Sequence, residues 1–414
     1  MLQKTLSKIE SYLPSQYKEI VEHFSYVSVL RLAQQLISFV SFFFIVKYVP
    51  QEIVGHYHFV LSVVALVSIT SLPGMRTAVV QAMARGQAGF FKVATRYCFL
   101  GSSLGSAILL VIAAYHYIWL NDFIMAVAFV IAACLNPAAK GFMLWKTSYA
   151  GEERFKMLSV LNTVGTLITS SFLMLSVLFY TDSHVVLLAI ALIVPALQNL
   201  ILTAYEFQRH KSSTEAEDDL RVYGIKSSKY HILPVIAGEI DRISIYSFIS
   251  ASELALYNVA MKIPEIFKTL IRNLGTVIMP KLARMPSYSQ KLNRYFTMVS
   301  TVLLVLIVIF SFTILDEIFY WLTPPEYHSA LIYAQALLFT FAVGNYGFLK
   351  GRYIYAQKNI ESNKKISIAS NIIKITLMPV MVFFFQVWGA IFTIFAQRLF
   401  VSVYVNFIIK DHHT

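Results

Sequence analysis

Charge is scarce in this sequence. Asp, Glu, Lys and Arg make up 14% of its 414 residues, against about 25% in soluble domains. So thin a supply cannot coat a water-soluble body of 47.0 kDa, and the apolar content rules out disorder. Cysteine is nearly absent. Cys98 and Cys134 each sit inside an apolar run, so neither a disulfide framework nor a metal site is expected. HExxH and a glycine-rich phosphate loop are missing, which removes common catalytic templates. A long hydrophilic outer loop is missing too. The longest outer connection, 316–328, has thirteen residues, too few to hold the active site of a glycan polymerase or ligase, so a transporter rather than an enzyme is expected. Residues 1–23 carry Lys4, Lys8, Glu10, Lys18, Glu19 and Glu22 without an apolar stretch. They read as a short cytoplasmic interfacial segment, not a signal peptide.

Apolar residues are abundant. Hydrophobic types reach 57%, and mean hydropathy is +0.64. A spanning helix takes about 20 mostly apolar residues. Twelve such runs occur, at 24–49, 53–74, 95–117, 123–145, 157–180, 184–206, 228–249, 254–279, 295–315, 329–352, 366–386 and 388–409. No series of alternating ten-residue segments recurs, so a barrel is excluded. Helices remain as the way to satisfy a backbone in lipid. The expected fold class is all-α, a multi-pass membrane protein of about 12 transmembrane helices.

Lys and Arg number 34 against 22 Asp and Glu. With the N-terminus in the cytoplasm, twenty-four of the 34 fall on cytoplasmic segments, Lys47 alone on the outer face, and nine inside spans. Cytoplasmic loops concentrate bases, so both termini are placed in the cytoplasm. The basic excess is explained by the bilayer, and no nucleic-acid partner is expected. Shifting the chain by about 200 residues lays Gly55-His56-Tyr57 on Ala255-Leu256-Tyr257, and Lys140-Gly141 on Lys350-Gly351. Six is even, so such halves form a parallel repeat, as in several transporter classes. The expected division is an N-terminal six-helix bundle at 24–206, a cytoplasmic linker at 207–227 containing Glu215-Ala216-Glu217-Asp218-Asp219, and a C-terminal six-helix bundle at 228–414.

A charge at mid-membrane costs about 2.5–3.5 kcal/mol on insertion scales, so such residues face a cavity or a partner. The spans hold nine bases, Arg31, Lys140, Arg242, Lys262, Lys268, Arg272, Lys350, Lys374 and Arg398, and three acids, Glu239, Asp241 and Glu265. Arg31 and Lys350, nearer span ends, can snorkel. Lys262, Glu265, Lys268 and Arg272 fall on one stripe of a helix, which reads as cavity lining. Glu265 is expected to pair with Lys262 or Lys268 at i±3. The surplus of bases predicts a cavity that attracts phosphate or pyrophosphate. The candidate substrate-binding bases are Arg31, Lys140, Arg242, Lys262, Lys268, Arg272, Lys374 and Arg398. Asp241 and Glu265 are candidate H+ or Na+ sites, with a structural Asp241–Arg242 neutralisation as the alternative reading. No other cofactor is expected. His56 and His58, near the outer mouth of the second span, read as a surface feature.

Gly55-His56-Tyr57-His58-Phe59-Val60, Leu72-Pro73-Gly74-Met75 and Gln81-Ala82-Met83-Ala84-Arg85-Gly86 resemble the first spans and inner loop of the polysaccharide exporters, as does Tyr149-Ala150-Gly151-Glu152-Glu153-Arg154-Phe155. Ile240-Asp241-Arg242, Leu254-Ala255-Leu256-Tyr257-Asn258-Val259-Ala260 and Ile263-Pro264 resemble their seventh and eighth spans. The chain is similar to Wzx-type lipid-linked oligosaccharide flippases of the multidrug/oligosaccharidyl-lipid/polysaccharide exporter (MOP) superfamily. This resemblance implies a V-shaped, MATE-like pair of bundles around a cationic lumen in the bacterial inner membrane. It implies transfer of undecaprenyl-pyrophosphate-linked oligosaccharide to the outer leaflet by alternating access, coupled to a cation as in an antiporter. O-antigen and lipopolysaccharide biosynthesis is the implied setting, with a polysaccharide polymerase and a chain-length regulator as implied partners. Lipid II flippases of the same superfamily usually have fourteen spans, so twelve argue against that branch. Two other readings stand behind it. A cation-coupled multidrug exporter is disfavoured by the surplus of bases, and a membrane glycan polymerase or ligase by the missing outer loop.

Overall fold

The computed structural model describes residues 15–179, 182–210, 218–285, 288–357 and 360–411. The described residues contain no β-strand. Helices follow one another as α1 (Ser15–Tyr48), α2 (Gln51–Val67), α3 (Met75–Ala84), α4 (Phe90–Ile118), α5 (Phe123–Asn136), α6 (Trp145–Gly151), α7 (Phe155–Val177) and α8 (His184–Arg209). Then come α9 (Asp218–Ser228), α10 (Ile232–Phe248), α11 (Ala251–Ala283), α12 (Gln290–Thr313), α13 (Leu315–Leu322), α14 (Ala330–Ala356) and α15 (Ile360–Asp411). The chain is an all-α, multi-pass membrane protein.

Among the described residues, nine helical stretches are long and apolar enough to cross a membrane. The last, Glu361–Ile409, contains two of the expected runs. Gln386 leaves the helix at φ 53° and ψ −139°, and Gly389 packs so close that a Cβ there would overlap the Met381 carbonyl. The seventh and eighth runs are α10, of 17 residues, and α11, which carries Lys262, Glu265, Lys268 and Arg272.

Local chemistry sets several boundaries. Asp122 caps α5 by accepting the Met125 N–H at 3.0 Å, and Ser289 caps α12 by accepting Leu292 N–H at 3.1 Å, each satisfying an orphan donor of a first turn. The fourth expected run, 123–145, is not one continuous α-helix. Pro137 has no N–H to give, and a π turn, Pro137–Gly141, follows it. A break at membrane depth leaves carbonyls that need donors. Asn199 donates to the Ala139 carbonyl at 2.9 Å and Thr203 to the Phe142 carbonyl at 2.7 Å. Trp145 Nε1 in turn donates to Asn199 Oδ1 at 2.9 Å.

The described residues gather into two compact units. The first takes the chain up to Phe42 together with Thr70–Phe179 and Ala189–Lys229, and the second takes Phe43–Ile69, Tyr180–Leu188 and Tyr230–Thr414. Within the first, α3 and α9 are built from base-rich connections. They bury Met75, Ala78, Val79, Ala82 and Leu220 with Phe90, Phe91 and Cys98, so Cys98 is a packing residue. The stretch read as a linker therefore includes a docked helix. Residues 211–217, which hold part of the acidic run, lie outside the described residues, as do 1–14. Within the second unit, α2 packs against α10 and α11. Gly55 allows the close approach, because a Cβ there would overlap the Ala251 carbonyl. A core of Leu282, Tyr288, Phe296, Leu349, Tyr353 and Val405 ties α11, α12, α14 and α15 together.

Candidate functional site

The second unit contains a knot of ionisable side chains inside its membrane helices. Asp241 on α10 is buried. Its Oδ2 accepts the Tyr257 hydroxyl at 2.7 Å and Lys374 Nζ at 3.3 Å, while its Oδ1 has no hydrogen-bond partner. The ion pair of Asp241 is thus with Lys374 on α15, not with the adjacent Arg242, because residues one apart on a helix do not face each other. Arg242 turns to other partners. It reaches Glu239 Oε2 at 3.1 Å, Glu265 Oε1 at 3.5 Å and Asn258 Oδ1 at 3.0 Å. The ion pair of Glu265 therefore crosses from α11 to α10, where the sequence suggested one along its own helix.

The other bases gather around this knot. Lys262 is half-buried, within Coulombic reach of Glu265 and Arg242. Lys268 and Arg272 are exposed one turn apart on α11. Lys268 lies within Coulombic reach of Arg398, Glu265, Lys374 and Arg272. The Arg398 guanidinium rests 5.1 Å from the centre of the Phe341 ring. Six of the expected substrate bases and both expected cation sites are therefore brought together. Two are not part of this unit: Arg31, exposed on α1, and Lys140, half-buried in the π turn, belong to the first.

Several pairings were not foreseen from sequence. Glu239 holds Arg242, and its i,i+3 spacing was the available signal. Tyr257 and Asn258 enter the sequence reading only within the stretch that resembles the exporters' eighth span, yet both bond to charged groups. His56 and His58 do not act as a pair. His56 Nδ1 lies 2.9 Å from Tyr246 Oη and its ring 5.2 Å from that of His184, whereas His58 lies within Coulombic reach of Arg242 and Lys262.

The count of three membrane acids also needs correction. Glu206, the last residue of the sixth expected run, is fully buried. It belongs to a knot in the first unit. Ser148 donates to its Oε2 at 2.5 Å, His210 Nε2 lies 3.3 Å from the same oxygen, and Arg209 lies 3.4 Å from Oε1. Arg209 also meets Glu152 at 2.6 Å.

In the second unit's knot, six bases share three carboxylates. Two of those acids are bound by Arg242 and the third by Lys374. The site therefore holds a net positive charge and presents ammonium and guanidinium donors suited to an oxyanion.

A model of the family described as polysaccharide biosynthesis protein matches residues 49–321. A search of curated proteins finds no match. Solved structures are similar over most of the chain. The lipid II flippase MurJ in an inward closed conformation aligns with a TM-score of 0.66 at 13% identity, over 93% of this chain and 87% of that one. An inward-facing multidrug resistance MATE family transporter of the MOP superfamily gives 0.64 at 10% identity, over 91% and 95%. A MOP superfamily transporter from Pyrococcus furiosus, described as having a binding pocket of reverse polarity, gives 0.56 at 12% identity, over 96% of both chains. At these identities the likeness establishes the fold.

Proposed function

Because the chain belongs to the polysaccharide biosynthesis protein family, we propose that it is a flippase for lipid-linked oligosaccharide. The cargo is an undecaprenyl-pyrophosphate-linked repeat unit, moved from the inner to the outer leaflet of a bacterial inner membrane by alternating access. The observation that carries this reading is the excess of bases over acids in a membrane-embedded knot. A diphosphate is a compact, multiply charged oxyanion, and Arg and Lys are the side chains that bind it in low dielectric. A pump for cationic drugs would be served by the opposite sign.

Asp241 is the better candidate for cation coupling. It is buried, is held by Lys374 and Tyr257, and retains one oxygen without a partner. A proton arriving there would loosen Lys374, and so change the charge presented to the cargo. Antiport, O-antigen and lipopolysaccharide assembly, and cooperation with a polymerase and a chain-length regulator belong to this proposal, as does the placement of both termini in the cytoplasm.

The test is deletion of the gene followed by analysis of its lipid-linked glycans. Complete repeat units should accumulate on the cytoplasmic leaflet while surface polysaccharide disappears. Normal surface polysaccharide without accumulation would refute the proposal.

A further inference from the structure

Two arginines of the second unit are held in the same way. The Arg352 guanidinium lies 4.6 Å from the centre of the Phe348 ring, and that of Arg398 lies 5.1 Å from the centre of Phe341. Neither takes part in an ion pair among the described residues, and the buried Nε of Arg352 has no hydrogen-bond partner. A glycine clears the space beside each. A Cβ on Gly275 would come within 3.2 Å of Arg352 Nε, and one on Gly344 within 3.0 Å of Arg398 Cδ.

The two rings belong to α14 and stand seven residues apart. Seven residues are two turns, so both rings lie on nearly the same face, about 10 Å apart along the axis. Each arginine also has a second base near it on α11. Arg272 is within Coulombic reach of Arg352, and Lys268 of Arg398. Those two bases are themselves one turn apart. The arrangement is therefore repeated: a ring, a guanidinium, a glycine and a base from α11, then the same set two turns along.

Stacking on an aromatic face fixes the plane of a guanidinium and leaves its edge N–H groups to an oxyanion. We propose that Arg352 and Arg398 are two successive docking points for a diphosphate group, with Phe348 and Phe341 as their positioning residues. This rests on the flippase reading for the identity of the cargo. The repeat gives the headgroup a second cationic station before it leaves the first. Arg352 lies at the base-rich end of α14, the end read as cytoplasmic, and serves as the first rung, with Arg398 as the next.

The test uses the purified full-length protein in nanodiscs, titrated with inorganic pyrophosphate and, separately, with a polyprenyl diphosphate supplied in the bilayer. Arg352→Gln and Arg398→Gln should each weaken the lipid diphosphate about tenfold, and the double variant should abolish its binding. Phe348→Leu and Phe341→Leu, which keep an apolar side chain, should each weaken it about threefold. Arg→Lys at either position should remain weakened, because charge is kept but the planar fork is lost. Losses seen with pyrophosphate alone would overturn the lipid as source. Unchanged binding of both probes in a monodisperse double variant would overturn the ladder, as would full rescue by lysine. The two proposals fail separately. Diphosphate binding lost in these variants without glycolipid accumulation on gene deletion defeats the flippase reading and leaves the docking points standing. Accumulation with binding indifferent to every variant does the reverse.

Discussion

Each unit holds a knot of ionisable groups, and the two are balanced differently. In the first, two carboxylates, Glu152 and Glu206, meet Arg154, Arg209 and His210 at 2.6 to 3.7 Å. Opposite charges are matched there, and Glu206, the group with no exposure, is met by Arg209, His210 and Ser148. In the second, three carboxylates form ion pairs with Arg242 and Lys374, four further bases lie around them, and Arg398 has a ring beneath it instead of an acid. A matched buried knot is a structural joint, because each member keeps the next from being a lone charge in low dielectric. Under the flippase proposal the first knot holds the fold and the second meets cargo.

The comparison breaks most visibly at Glu206. Glu206→Ala leaves Arg209 and His210 without that carboxylate and Ser148 without its acceptor, and should cost about 3–5 kcal/mol. The readout is thermal unfolding in detergent. Glu206→Gln, which keeps an acceptor for Ser148, should lose less. A Glu206→Ala variant as stable as the parent would remove the structural role of the first knot. Asp241→Asn comes next, with an expected loss of about 2–3 kcal/mol, because Lys374 is left buried beside a neutral amide. Combining it with Lys374→Met should recover most of that loss, since the two residues act as one pair. Transport should stay absent in the combined variant, which separates the contribution to stability from that to coupling. Third is Asn199→Leu in the first unit. It takes a donor from the Ala139 carbonyl and an acceptor from Trp145, and should cost about 1–2 kcal/mol. Transport should persist in the fraction that folds.

How much of this could be read in advance depended on the range of the interactions. Apolar runs are local, so ten of the twelve expected runs fall on the nine apolar stretches among the described residues, the charge-bearing seventh and eighth are helices outside them, and the fourth is broken at Pro137. Its π turn depends on Asn199 and Thr203, some 60 residues away, taking up the exposed carbonyls. Most of the charged residues inside the spans, Glu206 excepted, were also legible. Their partners were not. Asp241 and Arg242 are neighbours in the chain and face different helices in the fold, and Lys374, the partner of Asp241, is 133 residues away. Glu206 escaped notice because it closes a span, where a carboxylate is normally assumed to reach water. The two arginine–phenylalanine pairs follow the same division. Phe348 and Arg352 are spaced i,i+4 and could have been seen, whereas Phe341 and Arg398 are joined only by the packing of α14 on α15.

The smallest expected effect on stability is the most informative about function. Arg398→Gln removes a cation–π contact and no ion pair among the described residues, so the protein should lose no more than about 1 kcal/mol. Relief of repulsion with Lys268, its neighbour of like charge, works against even that loss. Were the second knot a structural joint like the first, removing a half-buried arginine would unfold the unit much as Glu206→Ala does. If it holds cargo, unfolding temperature should barely move while export of polysaccharide stops. Measuring both in one series, with Lys268→Gln beside Arg398→Gln, decides between these roles. Under the flippase proposal a negatively charged headgroup adds to the Phe341 contact in holding the Arg398 charge at membrane depth.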